Sequence, residues 1–290
     1  MSYIAIYGFS FTRKIEFDGG VLTPIFTSAK ELRENKCNGR EYILSGFFSP
    51  AVTNYVNHQQ LVSDLAAVLS FIEQKNVVIS GELEDDESPK NFKPSLPKKL
   101  NSLRHPGLGY IIREDYIAPD SRKHFISLAM NALNNRALSE GDPFRTAFYK
   151  SMLAFRESID YVDVSYYLNF SALESLCRHI LNDYSYGEAP KKIAKALNGF
   201  GFDIVDKAHP TPQRNTYHYN QLRNSLFHNG KHFNYLDKND PASVIYIKDY
   251  SANLKMLVSL ALVKYIGFDD KWINWDSWID RIPFNISVPK

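Results

Sequence analysis

The sequence predicts an α+β chain, with a mixed α/β domain over residues 1–118 followed by an all-α helical bundle over residues 119–290. Three observations predict it. The first residues alternate apolar with smaller or polar side chains at period two, as a strand does. Beyond residue 119 apolar side chains recur at the 3.6-residue helical period almost to the end. Between these regions, residues 82–106 hold an acidic run and then a basic, proline-punctuated one, the composition of an exposed connector. A length of 290 residues is about twice that of an ordinary domain, and 44% hydrophobic with 23% charged residues is a globular composition.

The elements follow in order. Tyr3, Ala5, Tyr7, Phe9 and Phe11 mark a strand region, and Asp18-Gly19-Gly20 is a turn before strand-like residues 21–27. A helix is expected over 59–74, where Leu61, Leu65, Val68, Leu69 and Ile72 share one face, and residues 76–80 return to strand character. Residues 109–116 read as a strand, closed by a turn at Pro119-Asp120. Six helices are then expected over 121–135, 143–159, 164–181, 189–197, 215–228 and 250–265. No repeat of about 20 to 50 residues is present, which argues against a solenoid.

Composition narrows the function classes. A formal charge of +2 supplies no global field, so any nucleic-acid binding must come from a local patch. Cys37 and Cys177 cannot build a disulfide framework, and residues 1–11 lack the features of a signal peptide, so a cytoplasmic location is expected. The longest apolar stretch, residues 256–263, is bounded by Lys255 and Lys264 and is far short of the ~20 residues of a bilayer helix, so no membrane association is expected.

The informative segment runs from Gln221 to Gly230. On a helix Asn224 and His228 are four apart and share a face, so the amide can reach the imidazole or whatever the imidazole touches. Arg223 lies about 100° round the helix, and its long stem can bring the guanidinium to the same edge. Leu222 and Leu226 form the opposite, core-facing side. Gly230 is placed as the helix C-cap, which puts His228 in the last turn, where the dipole favours a positive ring. About 0.4 R-x4-H matches are expected by chance in a chain of this composition, and about 0.03 when asparagine must follow the arginine. Independently, residues 207–236 contain no Asp or Glu, while four of the eight histidines fall there. Arg214, His218, Lys231 and His232 are therefore candidate substrate-binding residues in a positive, aromatic-rich window suited to phosphates and bases.

The R-N-x3-H pattern, the following Asn229-Gly230-Lys231 and the earlier run Tyr167-Leu168-Asn169-Phe170-Ser171-Ala172-Leu173-Glu174 resemble the HEPN superfamily, particularly its Apea-like group. The resemblance covers roughly residues 120–270. It implies a helical bundle that pairs as a homodimer so that two motifs face each other, with Arg223, Asn224 and His228 as the catalytic positions. It further implies a metal-independent endoribonuclease with no cofactor, acting as a toxin or antiphage effector. The partners implied are RNA and an antitoxin or phage-derived trigger protein, with residues 1–118 as an accessory sensor or regulatory domain.

Rival readings are weaker. Cys177, His179, His228 and His232 include zinc-ligand types, but their spacings diverge on a helix or straddle Gly230. Gly199-Phe200-Gly201 lacks the context of a phosphate loop. Glu157, Asp160, Asp163 and Glu174 are possible partners for Arg223, read as surface carboxylates or a structural ion pair before a catalytic acid. A noncatalytic RNA- or nucleotide-binding module, and a purely structural dimer, remain the alternatives to cleavage.

Overall fold

The computed structural model describes residues 2–35, 41–51, 55, 57–91, 95–101, 110–136, 143–156 and 161–285. It is a mixed α/β chain with a small antiparallel sheet. Two compact units account for it: Met1–Glu140 with Phe155–Ile159, and Gly141–Ala154 with Asp160–Lys290.

The first unit contains β1 (Ile4–Tyr7), β2 (Ile15–Phe17), β3 (Gly20–Pro24), α1 (Ala29–Asn35), β4 (Tyr42–Pro50), α2 (His58–Glu73), β5 (Val78–Glu82), β6 (Lys99–Leu100) and α3 (Ser121–Arg136). The strands form one sheet in the order β2-β3-β4-β1-β5, with β6 on the early end of β4. Asp18 and Gly19 turn β2 into β3, as expected. Helix α2 starts where Asn57 accepts a hydrogen bond from the Gln60 amide at 2.6 Å and stops at Gln74, which is left-handed at φ 51°. Strand β4 is the sheet's longest, and Gly46 within it lets the Phe11 ring lie against the backbone where a Cβ would collide. The strand expected over 109–116 is absent from the described part of that stretch, which is irregular.

The boundary expected at 118/119 falls before α3, yet α3 is part of this first unit. Arg122 is one of the residues that tie it there, and its side chain is completely buried. Its guanidinium donates to the carbonyls of Ser10 and Arg113 and lies 3.6 Å from the Glu73 carboxylate, over the rings of Phe9 and Tyr110. Glu73 in turn accepts from the Ser10 amide at 3.0 Å. Phe125 of α3 stacks on Phe71 of α2 at 5.5 Å.

The second unit is built from α4 (Pro143–Arg156, whose last two residues belong to the first unit), α5 (Val162–Leu181), α6 (Ala189–Gly199), α7 (Thr216–Asn229), α8 (Ser251–Tyr265) and α9 (Ser277–Asp280). Helix α8 is buried from Asn253 through Val263, so the apolar stretch of residues 256–263 is the core of this unit. Among the described residues no helix is long and apolar enough to cross a membrane. The unit is not purely helical: β7 (Phe233–Tyr235) and β8 (Val244–Tyr246) form an antiparallel hairpin after α7. It escaped the sequence reading because each strand is only three residues long.

Candidate functional site

Helix α7 positions the site. The Asn215 side chain accepts from the Tyr217 amide at 2.9 Å, and Gly230 ends the helix at φ 62° with its N–H turned back to the carbonyls of Leu226 and Ser225. Its buried residues are Thr216, Tyr219, Leu222 and Ser225, at every third position. Leu226, expected to share the core face with Leu222, falls off that row and is only part-buried. Two clamps hold the helix. Tyr166 of α5 donates its hydroxyl to the Tyr219 carbonyl at 3.1 Å. Ser225 donates to the Phe233 carbonyl of β7 at 2.6 Å, while the Asn234 amide donates to the Gln221 carbonyl and side chain.

Arg223, Asn224 and His228 all line one open cleft of about 450 Å³. Asn220 joins them, so Asn220, Asn224 and His228 form a stripe at four-residue steps. Across from this stripe stand Glu174 and Arg178 of α5 and residues 186–190, which lead into α6. The two arginines have different commitments. Arg178 donates to Glu174 at 2.7 and 3.0 Å and to the carbonyls of Ser185 and Gly187. Among the described residues Arg223 makes one hydrogen bond, from Nη1 to Asn224 Oδ1 at 2.9 Å, and its buried Nε has no partner. Its guanidinium packs over Phe170 and Phe227 at 5.9 and 5.7 Å. Phe227 also stacks on Tyr167 at 5.1 Å and meets the exposed His228 edge-on at 5.6 Å.

Glu174, a possible partner of Arg223 from sequence, pairs with Arg178 instead. Asp163 pairs with His232, while Glu157 and Asp160 lie outside the described residues. The amide expected to reach the imidazole accepts from Arg223 through its oxygen instead, while Asn224 still lines the cleft.

The other four candidates do not join this cleft. Arg214 donates to the Asp203 carbonyl at 2.7 Å and to Asp276 at 3.0 Å, and lies over Trp278. His232 Nε2 is 2.7 Å from Asp163 Oδ1. His218 Nδ1 is 2.9 Å from the Tyr250 hydroxyl, and burial lowers its pKa. The Lys231 ammonium sits over Phe233 at 5.9 Å. The acid-free window in sequence is thus not acid-free in space: Asp163, Asp203 and Asp276 reach it from other segments, and Glu174 and Glu188 line the cleft itself.

No family model matches the chain, and no curated protein or solved structure matches it.

Among the described residues no three of His, Cys, Asp and Glu cluster as a metal ion would require. Both ring nitrogens of His179 are hydrogen-bonded, to Tyr184 and Tyr265. Cys177 is fully buried, which pushes its thiol pKa well up, and Cys37 lies outside the described residues. Sequence reasoning missed Arg178, Asn220 and Tyr186 as cleft residues. The i, i+4, i+8 spacing of Asn220, Asn224 and His228 was a usable signal for the first turn of the stripe. No local pattern marks the segment around Tyr186, whose position depends on tertiary hydrogen bonds. Chemically, the cleft offers a guanidinium that forms no ion pair among the described residues, a neighbouring amide and a solvent-accessible imidazole one turn on. That set suits an anion with a proton to move nearby.

Proposed function

We propose that this chain is a metal-independent endoribonuclease of the HEPN type that cuts single-stranded or loop RNA. The observation that carries the reading is Arg223, which forms no ion pair among the described residues, sharing one cleft with Asn224 and His228. A guanidinium that lines an open cleft gains charge-assisted bonds from a phosphate oxygen. In the reaction, the ribose 2′-oxygen forms a bond to phosphorus as the P–O5′ bond breaks, giving a 2′,3′-cyclic phosphate and a free 5′-hydroxyl. One imidazole takes the 2′-OH proton and another supplies the proton that the leaving O5′ requires. Arg223 and the Asn224 amide offset the charge that grows on the nonbridging oxygens.

A single chain carries one such histidine, and two proton transfers in one step call for a homodimer that brings two copies of His228 to one linkage. In this reading the second unit, which carries α5 to α8, acts as the nuclease bundle and the first unit as a sensor or regulatory domain. The chain serves as a toxin or defence effector answering to an antitoxin or a phage-derived trigger. A noncatalytic RNA-binding module is the second reading, and one feature favours it: no group among the described residues hydrogen-bonds His228 to orient it. The test is incubation of purified protein with single-stranded RNA in EDTA. Cutting is expected, and His228→Ala should abolish it while the circular dichroism of the helices stays the same. Cutting that persists in the variant would assign the activity to other residues, and RNA bound intact by the native protein would favour the binding module.

A further inference from the structure

Resting on that reading, we infer that Tyr186 is a stacking platform for an unpaired base next to the phosphate held by Arg223, and so a specificity-determining residue of the cleft. Tyr186 lines the same cleft as Arg223 and His228, and its relative accessibility is 105%, as open as in an unfolded chain. A lone exposed aromatic is ordinary on a protein surface. This one differs in how firmly its backbone is held. The carbonyl of Ser185, just before it, accepts from Arg178 at 2.6 Å and from Lys192 at 2.7 Å. The carbonyl of Gly187, just after it, accepts from Arg178 at 3.3 Å. Asp183 completes the brace by accepting from the Ser185 amide and hydroxyl and from Lys192. Lys192 is itself buried, so one anchor of this surface segment reaches the unit's interior.

The consequence is a rigid backbone presenting a ring that has no partner of its own among the described residues. An exposed aromatic sharing a cleft with a guanidinium is an arrangement by which proteins hold single-stranded nucleic acid, with phosphate on the cation and base on the ring. Every base has a π-face, so such a platform selects for unpaired bases over a particular sequence. Bases within a duplex are stacked on each other and have no face to offer.

The experiment compares two labelled ligands by fluorescence anisotropy: a short single-stranded 2′-fluoro RNA, which cannot undergo 2′-OH attack, and a ribose-phosphate chain of equal length without bases. The native protein should prefer the RNA. Tyr186→Ala should weaken RNA binding about 5- to 150-fold and leave the baseless chain unaffected, while Tyr186→Phe should bind both as the native protein does. Arg223→Ala should weaken both ligands. If the native protein and Tyr186→Ala bind RNA equally, the platform is refuted while the RNA reading stands. If the native protein binds neither ligand, the RNA reading and the platform fall together.

Discussion

At the scale of the residue, the site depends on a guanidinium whose ring contacts and single hydrogen bond orient it without neutralising it. Arg223→Lys keeps the charge but loses the planar fork and its packing on Phe170 and Phe227. The expected result is a loss of about 10²- to 10³-fold in RNA cleavage rate with thermal stability nearly unchanged, measured by single-turnover kinetics. His218 governs a different property. Burial lowers its pKa below the ordinary value of 6.5, so the unfolded chain binds this proton more readily than the folded one. Its effect is absent above about pH 6.5, and stability falls as the pH drops from there toward the folded pKa. His218→Gln should flatten that part of a urea-denaturation profile measured against pH. The motif residues were legible because they share one helix, where spacing alone sets their juxtaposition. The roles of Arg214 and His232 were not, because Asp276 and Asp163 lie 62 and 69 positions away in sequence (276 − 214 and 232 − 163) and only folding delivers them.

At the scale of the element, α7 carries the site because its two ends and one flank are fixed. Gly230 is left-handed at φ 62° with open space around it, so Gly230→Ala meets backbone strain and no clash. A cost of about 1 kcal/mol is expected from denaturation, with faster amide exchange in the last turn around His228. Tyr166→Phe removes the hydroxyl that donates to the Tyr219 carbonyl in the interior and should cost about 1 kcal/mol by the same measurement. Helices were the readable elements: α2 and α5 to α8 begin and end within about two residues of their expected bounds, because each is too long for a strand and is bounded by turn or cap residues. Strand β4 was not readable as an alternating strand, because it lies between β3 and β1 and is buried on nearly every residue. Residues 110–116 look strand-like yet are irregular, since Asp115 and Arg113 spend their polar groups on Thr12 and Arg122.

At the scale of the whole molecule, each unit has its own interior. In the first, Arg122 and Glu73 sit together almost without solvent. Arg122→Met leaves Glu73 buried without its cation and should destabilise this unit by about 3–5 kcal/mol in urea denaturation. That internal pair also shows why the 118/119 boundary was not legible: α3 has an ordinary helical pattern, and the contacts of Arg122 and Phe125, made only on folding, tie it to the first unit. In the second unit, the proposed chemistry sets a requirement on assembly, since two proton transfers need two imidazoles. The proposal that Arg223, Asn224 and His228 cut RNA without a metal is tested most directly by mass spectrometry of the ends produced when the protein meets single-stranded RNA in EDTA. The expected products carry a 2′,3′-cyclic phosphate on one fragment and a 5′-hydroxyl on the other. Fragments ending in 5′-phosphate and 3′-hydroxyl, or RNA left whole, would contradict it.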